Sequence, residues 1–149
     1  MTLSYQTAFD SRTDLKKYKE NALALFALQL RFSIEDIDTV AASSLTGGKD
    51  DKKCDLIYVD KNVGYIIVIQ AYMAHKLDKA AASSTKASDL NTAAAWLLNS
   101  PIDNLPEGLR SAAGEVRSAL EANNIRYVQF WYVHNLPESK NVKAELQMV

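Results

Sequence analysis

The amino-acid sequence predicts an α/β protein in which helices cover the two faces of one mixed β-sheet. Three observations predict this class. Residues 14–31 have helical periodicity, two apolar runs are joined by a short polar turn, and a third apolar run follows two further helical stretches. Helices that alternate with strands in this way are typical of a mixed sheet flanked by helices. The 149 residues fit one core, so we interpret residues 1–149 as a single domain.

The N-terminal part is expected to be helical after an irregular lead-in over residues 1–12. Over residues 14–31 apolar side chains recur at helical spacing, and lysines occupy the opposite face. Ser33 is expected to cap a second helix start. The stretch over residues 37–45 fits either a short helix or a strand.

A β-hairpin is predicted in the middle of the chain. Residues 56–60 and 65–70 are rich in Ile, Val and Tyr, which favour strands. Residues 61–64 are expected to form the turn between them. The second strand is continuously apolar over residues 66–69, so we expect it to be buried on both faces.

The rest of the chain is expected to contain two helices and a strand. A polar loop over residues 73–85 is followed by helices over residues 88–98 and 107–123, and by a third strand over residues 127–133. Residues 143–149 have the pattern of a helix start. This pattern predicts that the chain is the N-terminal part of a longer protein.

The composition excludes several classes of protein. The chain is 48% hydrophobic and 23% charged, as ordinary globular domains are, so extensive disorder is not expected. The formal net charge of −1 gives no overall basic field for nucleic acid, although a cleft can still hold local cations. The single cysteine, Cys54, rules out an intramolecular disulfide. No signal peptide and no membrane-spanning apolar run are visible, so we expect a cytoplasmic protein without membrane contact.

Two polar side chains at the ends of the predicted hairpin strands suggest a metal site. Asp55 opens the first strand and Gln70 closes the second, so the hairpin can bring them to neighbouring positions. Phosphodiester hydrolysis uses a hard divalent cation such as Mg²⁺ or Mn²⁺, for which carboxylate and amide oxygens are suitable ligands. Structural roles fit the same residues: Asp55 could accept turn N–H groups, and Gln70 could bond to the backbone.

A lysine is the third group that such a site needs, because it steadies the charge that develops on the phosphate. Lys86 is our candidate, since a lysine in the first turn of a helix opposes the helix dipole and needs another reason to be there. A solvated lysine is the alternative. Glu20 is a further candidate metal ligand, although its spacing from Lys16 also suits a surface ion pair. The cations expected to contact nucleic acid, if they are not solvated loop charges, are Lys52, Lys53 and Lys76.

Two sets of segments resemble known families. The first set, residues 47–48, 55–58 and 68–72, resembles the core of the PD-(D/E)XK nuclease superfamily in a variant with Gln. The second set, residues 86–93, 96–98 and 130–142, resembles the N-terminal part of the AIPR proteins, an abortive-infection phage-resistance family. The resemblance extends over about residues 10–149.

This resemblance implies a restriction-endonuclease-like fold, a mixed sheet of about four strands flanked by helices in the order αβββαβ. Residues 39–45 would then supply the fourth strand. It also implies that Asp55 matches the metal-binding Asp of the superfamily and Gln70 its (D/E/Q) position. Tyr72 stands where the superfamily has lysine, so either Lys86 serves from the helix or the site is degenerate.

Two functions follow as predictions. The first is a Mg²⁺- or Mn²⁺-dependent nuclease domain that cuts DNA or RNA in bacterial phage defence. The second is a catalytically degenerate nuclease-fold module that binds nucleic acid or a protein partner. Tyr72 in place of lysine and Gln70 in place of a carboxylate favour the second. A purely structural domain is a weaker third prediction. The expected protein partners are a second copy, in a homodimer, and a C-terminal region of the parent protein.

Overall fold

Helices cover both faces of the sheet: some precede its first strand in the chain, and others lie between its second and third strands. The computed structural model describes residues 4–45, 55–73, 84–135 and 147. In chain order the helices are α1 (Ser4–Asp10), the 3₁₀ helix η1 (Thr13–Asn21), α2 (Ala22–Phe32), α3 (Ile37–Ser44), α4 (Ser84–Asn99), the 3₁₀ turn η2 (Ile102–Asn104) and α5 (Glu107–Glu121). In the part of the chain described, no helix has both the length and the apolar character that crossing a membrane requires.

The strands form one mixed sheet, which confirms the predicted α/β class. They are β1 (Leu56–Asp60), β2 (Tyr65–Tyr72) and β3 (Tyr127–His134), side by side in the order β1-β2-β3. β1 and β2 are antiparallel with Leu56 opposite Ile69, whereas β2 and β3 are parallel. The sequence predicted all three strands, and β2 continues two residues beyond its predicted end.

β2 lies at the centre of the fold, because its two faces pack against different helical layers. Ile67 and Ile69 belong to the core shared with η1, α2 and α3, here called the first layer. Ile66 and Val68 belong to the core shared with α4 and α5, here called the second layer. Successive strand side chains point to opposite faces, so the continuous apolar run reflects burial on both faces, as predicted.

The N-terminal helices differ from the prediction in two ways. α1 replaces the expected irregular lead-in, and the Phe9 ring packs 5.4 Å from the ring of Phe26 in α2. The single helix predicted over residues 14–31 is divided into η1 and α2 by Lys19, whose φ of 54° and ψ of −118° are not helical. The apolar spacing continues across this break, so periodicity did not indicate it.

α3 occupies the stretch that fitted either a helix or a strand. Ser33 does not cap it, because Ser33 ends α2 in the left-handed conformation, at φ 52° and ψ 44°. The N-cap is Asp36, whose carboxylate accepts hydrogen bonds from the N–H of Thr39 at 3.1 Å and from its hydroxyl at 2.7 Å. This cap satisfies a donor of the first turn and so favours a helix.

The predicted fourth strand at residues 39–45 is therefore wrong. Within that stretch Leu45 alone pairs with the sheet, through one antiparallel bridge to Leu56 of β1. The capped first turn and the burial of Ile37 and Ala41 in the first layer hold the preceding residues in a helix.

The turn between β1 and β2 is closed by its own residues. Asp60 Oδ1 accepts the N–H groups of Asn62 at 3.0 Å and Val63 at 3.1 Å. Gly64 has a φ of +90°, and a Cβ built there would lie 2.7 Å from the carbonyl oxygen of Asn124. The positive φ and the close approach both require glycine at this position.

The later helices follow the prediction with shifted ends. α4 begins at Ser84, earlier than the predicted position 88, and α5 ends at Glu121. Most of the polar loop predicted over residues 73–85 lies outside the described residues, and so does the helix start predicted over residues 143–149, apart from Gln147, which is helical.

Candidate functional site

Asp55 lies beside the C-terminal end of β2, as the hairpin prediction required. Its N–H donates to the Ile69 carbonyl at 2.8 Å. In the regular pairing of β1 and β2, Leu56 is the residue opposite Ile69, so this hydrogen bond is displaced by one residue. Its carboxylate Oδ2 accepts the N–H of Ala71 at 2.7 Å. The side chain thus takes the place of a backbone acceptor at the end of the ladder, and it lies against the residue that follows Gln70.

Gln70 is a buried polar residue in the central strand. Its side chain is 2% exposed and alternates with Ile66 and Val68, so it lies on the face covered by the second layer. The amide oxygen Oε1 is buried and accepts no hydrogen bond from the described residues. A buried acceptor without a partner costs about 1–3 kcal/mol. A ligand that reaches this oxygen would therefore bind favourably.

Three more polar side chains lie at the same end of the sheet. In the parallel register of β2 and β3, Gln70 lies beside Tyr132, and Tyr72 lies beside His134. The rings of Tyr132 and His134 are 4.8 Å apart, which agrees with two side chains on one face of a strand. In open α/β sheets, ligands bind outside the carboxyl ends of the strands. We call this group, Asp55, Gln70, Tyr72, Tyr132 and His134, the open end of the sheet.

A buried carboxylate lies in the adjoining helix. Asp89 of α4 is 9% exposed, and it precedes Ala93 and Leu97 in the i, i+4 stripe that packs on the sheet. Gln70 and Asp89 are therefore both buried between α4 and the sheet. Asp89 was not among the site residues predicted from the sequence, although its i, i+4 spacing from Ala93 and Leu97 is visible there.

Glu20 belongs to η1, in the first layer. It is exposed and lines a cavity of about 620 Å³, together with Tyr18, Lys19, Asn21 and Met73. Met73 directly follows β2 and packs against the first layer, so this cavity is at the same end of the sheet but on the face opposite to Gln70. The fold therefore does not bring Glu20 together with Gln70, and the described residues contain no Lys16–Glu20 ion pair within 4 Å either.

The structure describes the predicted lysines only in part. Lys86 lies in the first turn of α4, as expected, but its side chain is outside the described part of the structure. Lys52, Lys53 and Lys76 lie outside the described residues altogether.

The oxygen donors at the open end suit a hard divalent cation in type. Asp55 offers a carboxylate and Gln70 an unpartnered amide oxygen, and Mg²⁺ accepts oxygen ligands of this kind. Across the described ranges, no group of three or more His, Cys, Asp or Glu side chains could hold a metal ion. Mg²⁺ commonly takes only one or two protein carboxylates and completes its shell with waters and phosphate oxygens, so the donor types present suit such an ion.

The chain was also compared with known proteins. Comparison with models of protein families, with curated proteins and with solved structures found no match.

Proposed function

We propose that this domain is a metal-dependent nuclease that hydrolyses phosphodiester bonds in DNA or RNA. One observation supports the proposal most. The Asp55 carboxylate accepts the N–H of Ala71 near the end of β2. Ala71 follows Gln70 in the chain, and the buried amide oxygen of Gln70 has no described partner. Buried polar atoms in proteins nearly always have a partner, and a divalent cation is one that both oxygens would accept.

The residues of the open end have distinct roles in this proposal. Asp55 and Gln70 hold a Mg²⁺ or Mn²⁺ ion, while the N–H of Ala71 fixes the orientation of the Asp55 carboxylate. A bound ion of this type polarises a phosphodiester and lowers the pKa of a bound water. Lys86, in the first turn of α4, stabilises the charge that develops on the phosphate. Glu20 stays a prediction, because it lies on the other face of the sheet.

A restriction-endonuclease-like fold is part of the same proposal. The helical start, the hairpin, the helical crossover and the parallel β2–β3 pair support it. The bridge between Leu45 and Leu56 supports it as well. Leu45 pairs along the side of β1 that faces away from β2, where the first strand of an αβββαβ core would add. By resemblance, we also propose an origin in an AIPR-type phage-defence protein of the bacterial cytoplasm.

Cleavage assays on single- and double-stranded DNA and RNA, with Mn²⁺ or Mg²⁺, test this proposal. Asp55→Asn is expected to lower the cleavage rate by about 100-fold or more, because it removes the anionic metal ligand. Asn can still accept the N–H of Ala71, so folding is expected to survive. Asp60→Asn is the matched control: it makes the same change at the turn end of the hairpin, where Asp60 accepts backbone N–H groups.

The proposal requires that Asp60→Asn cleave like the unmodified chain. Equal rates for the Asp55→Asn variant and the unmodified chain would exclude Asp55 as the metal ligand, and no cleavage by the folded, unmodified chain would reject the activity. Lys86→Ala then tests the lysine separately from the metal site. An unchanged cleavage rate in this variant would exclude Lys86 from catalysis and leave the proposed metal site intact.

A nuclease-fold module that binds nucleic acid or a protein without cutting is the second candidate. Tyr72 occupies the expected lysine position, and one carboxylate oxygen of Asp55 is already engaged by the N–H of Ala71. Both features suit a structural role for the open end. This candidate predicts that nucleic acid binds at low salt and that a calorimetric titration detects no Asp55-dependent Mn²⁺ binding. The nuclease proposal predicts that both nucleic acid and Mn²⁺ bind.

A further inference from the structure

Lys19 has a backbone conformation that L-amino acids seldom adopt. Its φ of 54° and ψ of −118° lie outside both the helical and the left-handed helical regions. Ser33 also has a positive φ, but its ψ of 44° places it in the ordinary left-handed region, where it ends α2. A glycine would make the break between η1 and α2 with less strain. Stability therefore does not explain the lysine, and strain of this kind is concentrated at functional sites in proteins.

Lys19 lies at the same end of the sheet as the open-end residues, but on the first-layer face. Two adjacent cavities, of about 200 Å³ and about 620 Å³, share Lys19 and Met73 in their walls. Met73 follows β2 directly and is two residues beyond Ala71, whose N–H holds the Asp55 carboxylate. A strand advances about 3.3 Å per residue. Met73, which both cavities share, is therefore roughly 7 Å from Ala71, whose N–H binds the Asp55 carboxylate.

The cations of η1 and of Arg12, which precedes it in the chain, differ in what they already bind. The guanidinium of Arg12 forms a two-bond pair with the Asp14 carboxylate, with both distances 2.9 Å. The ammonium of Lys17 pairs with Asp38 at 3.0 Å. Lys16 and Lys19 are both exposed, and the described residues provide no ion pair for either of them. Of the two, Lys19 is the one that lines both cavities. Its charge is therefore available to an anionic ligand that enters the cavities.

We propose that Lys19 binds the phosphodiester backbone of a nucleic acid that passes the open end of the sheet. This inference rests on the proposed nuclease function and extends it to the first-layer face, where sequence analysis placed no nucleic-acid contact. The strained backbone presents the side chain at the break between η1 and α2, beside Met73. A phosphate there would lie at the same end of the sheet as Asp55, on the first-layer face.

Substitution of Lys19 by glycine separates a binding role from a structural one. Lys19→Gly is expected to relieve the strain and raise the melting temperature by about 2–4 °C. It is also expected to weaken binding of a fluorescein-labelled single-stranded DNA, and to reduce the slope of log affinity against log salt by about 0.7. Lys19→Gln removes the charge while it keeps the Cβ, so it is expected to weaken binding without the gain in melting temperature.

Lys61→Ala is the charge-matched control, because Lys61 is an exposed lysine in the turn at the opposite end of the hairpin. A weakened affinity and a smaller salt slope in both Lys19 variants, with Lys61→Ala unchanged, would support the inference. Binding by the Lys19 variants equal to that of Lys61→Ala would overturn it, even where Asp55-dependent cleavage persists. Conversely, Lys19-dependent binding without any Asp55-dependent cleavage would reject the nuclease proposal and keep the Lys19 contact.

Discussion

The two ends of the β1–β2 hairpin use similar residues for different purposes. Each end has an aspartate beside the first strand, Asp60 at the turn and Asp55 at the open end. At the turn, the Asp60 carboxylate accepts the N–H groups of Asn62 and Val63, which follow it in the chain. Gly64 supplies the positive φ. The carboxylate at the turn end is therefore bonded within the turn itself.

The open end is not explained in the same way. The Asp55 carboxylate reaches across to the N–H of Ala71, sixteen residues away in the chain. Beside it, the amide oxygen of Gln70 is buried without a partner among the described residues. The aspartate at the turn end is thus bonded to its neighbours in the chain, whereas the open end holds a polar atom that stability alone does not explain. This difference is what directs the functional proposal to the open end.

The largest expected effect on stability is at the turn end. Gly64→Ala is expected to lower the free energy of unfolding by about 3 kcal/mol, because the new Cβ would meet the Asn124 carbonyl at 2.7 Å in a backbone region that costs about 1–3 kcal/mol for alanine. Urea denaturation measures the change. Gly114→Ala is the matched control, since nothing lies within 4 Å of its Cβ position in α5. Helix propensity predicts a gain of about 0.5–1 kcal/mol there, and equal effects in both variants would show that the turn does not depend on Gly64.

A smaller effect of opposite sign is expected at the open end. Gln70→Met is expected to raise the free energy of unfolding by about 1–2 kcal/mol, because it removes a buried oxygen without a partner and keeps a similar side-chain length. Gln29→Met is the control. Gln29 also has a buried oxygen without a partner among the described residues, but its Nε2 donates to the Ile34 carbonyl at 2.7 Å. Removal of the oxygen is expected to stabilise the fold and loss of the hydrogen bond to destabilise it, so the two effects should cancel. A Gln70→Met variant that is less stable than the unmodified chain would show that this oxygen has a partner in the folded protein.

The smallest expected effect is a change in titration at the turn end. Burial raises the pKa of Tyr58 above its usual value near 10, and the charge and hydrogen bond of Asp60, at 3.3 Å, raise the pKa further. Because the folded state favours the neutral phenol, this contribution to stability is present below about pH 10 and is lost as pH rises through the folded pKa. Asp60→Asn is expected to lower the pKa of Tyr58, as followed by NMR of the tyrosine rings, whereas Asp55→Asn at the open end should leave it unchanged. A pKa that is the same in the Asp60→Asn variant and the unmodified chain would leave burial as the sole cause.

Most of the sheet could be predicted because its signals are local. The Ile- and Val-rich runs and the Lys61–Gly64 turn predicted the hairpin, and the hairpin in turn predicted that Asp55 would lie near Gln70. The metal-binding roles of these residues stay a prediction. Asp89 was not predicted, because carboxylates are usually exposed and its burial depends on how α4 packs on the sheet.

The sequence by itself determined the α/β class, the three strands and the helical crossover. Period-two and period-3.6 patterns and turn residues act over a few neighbours, and they are visible in one chain. The tertiary structure alone decided that Lys19 breaks the first helix, that α3 is a helix rather than a strand, and that the amide oxygen of Gln70 is buried without a described partner. These features depend on which layer covers each residue, and contacts between residues far apart in the chain set that arrangement.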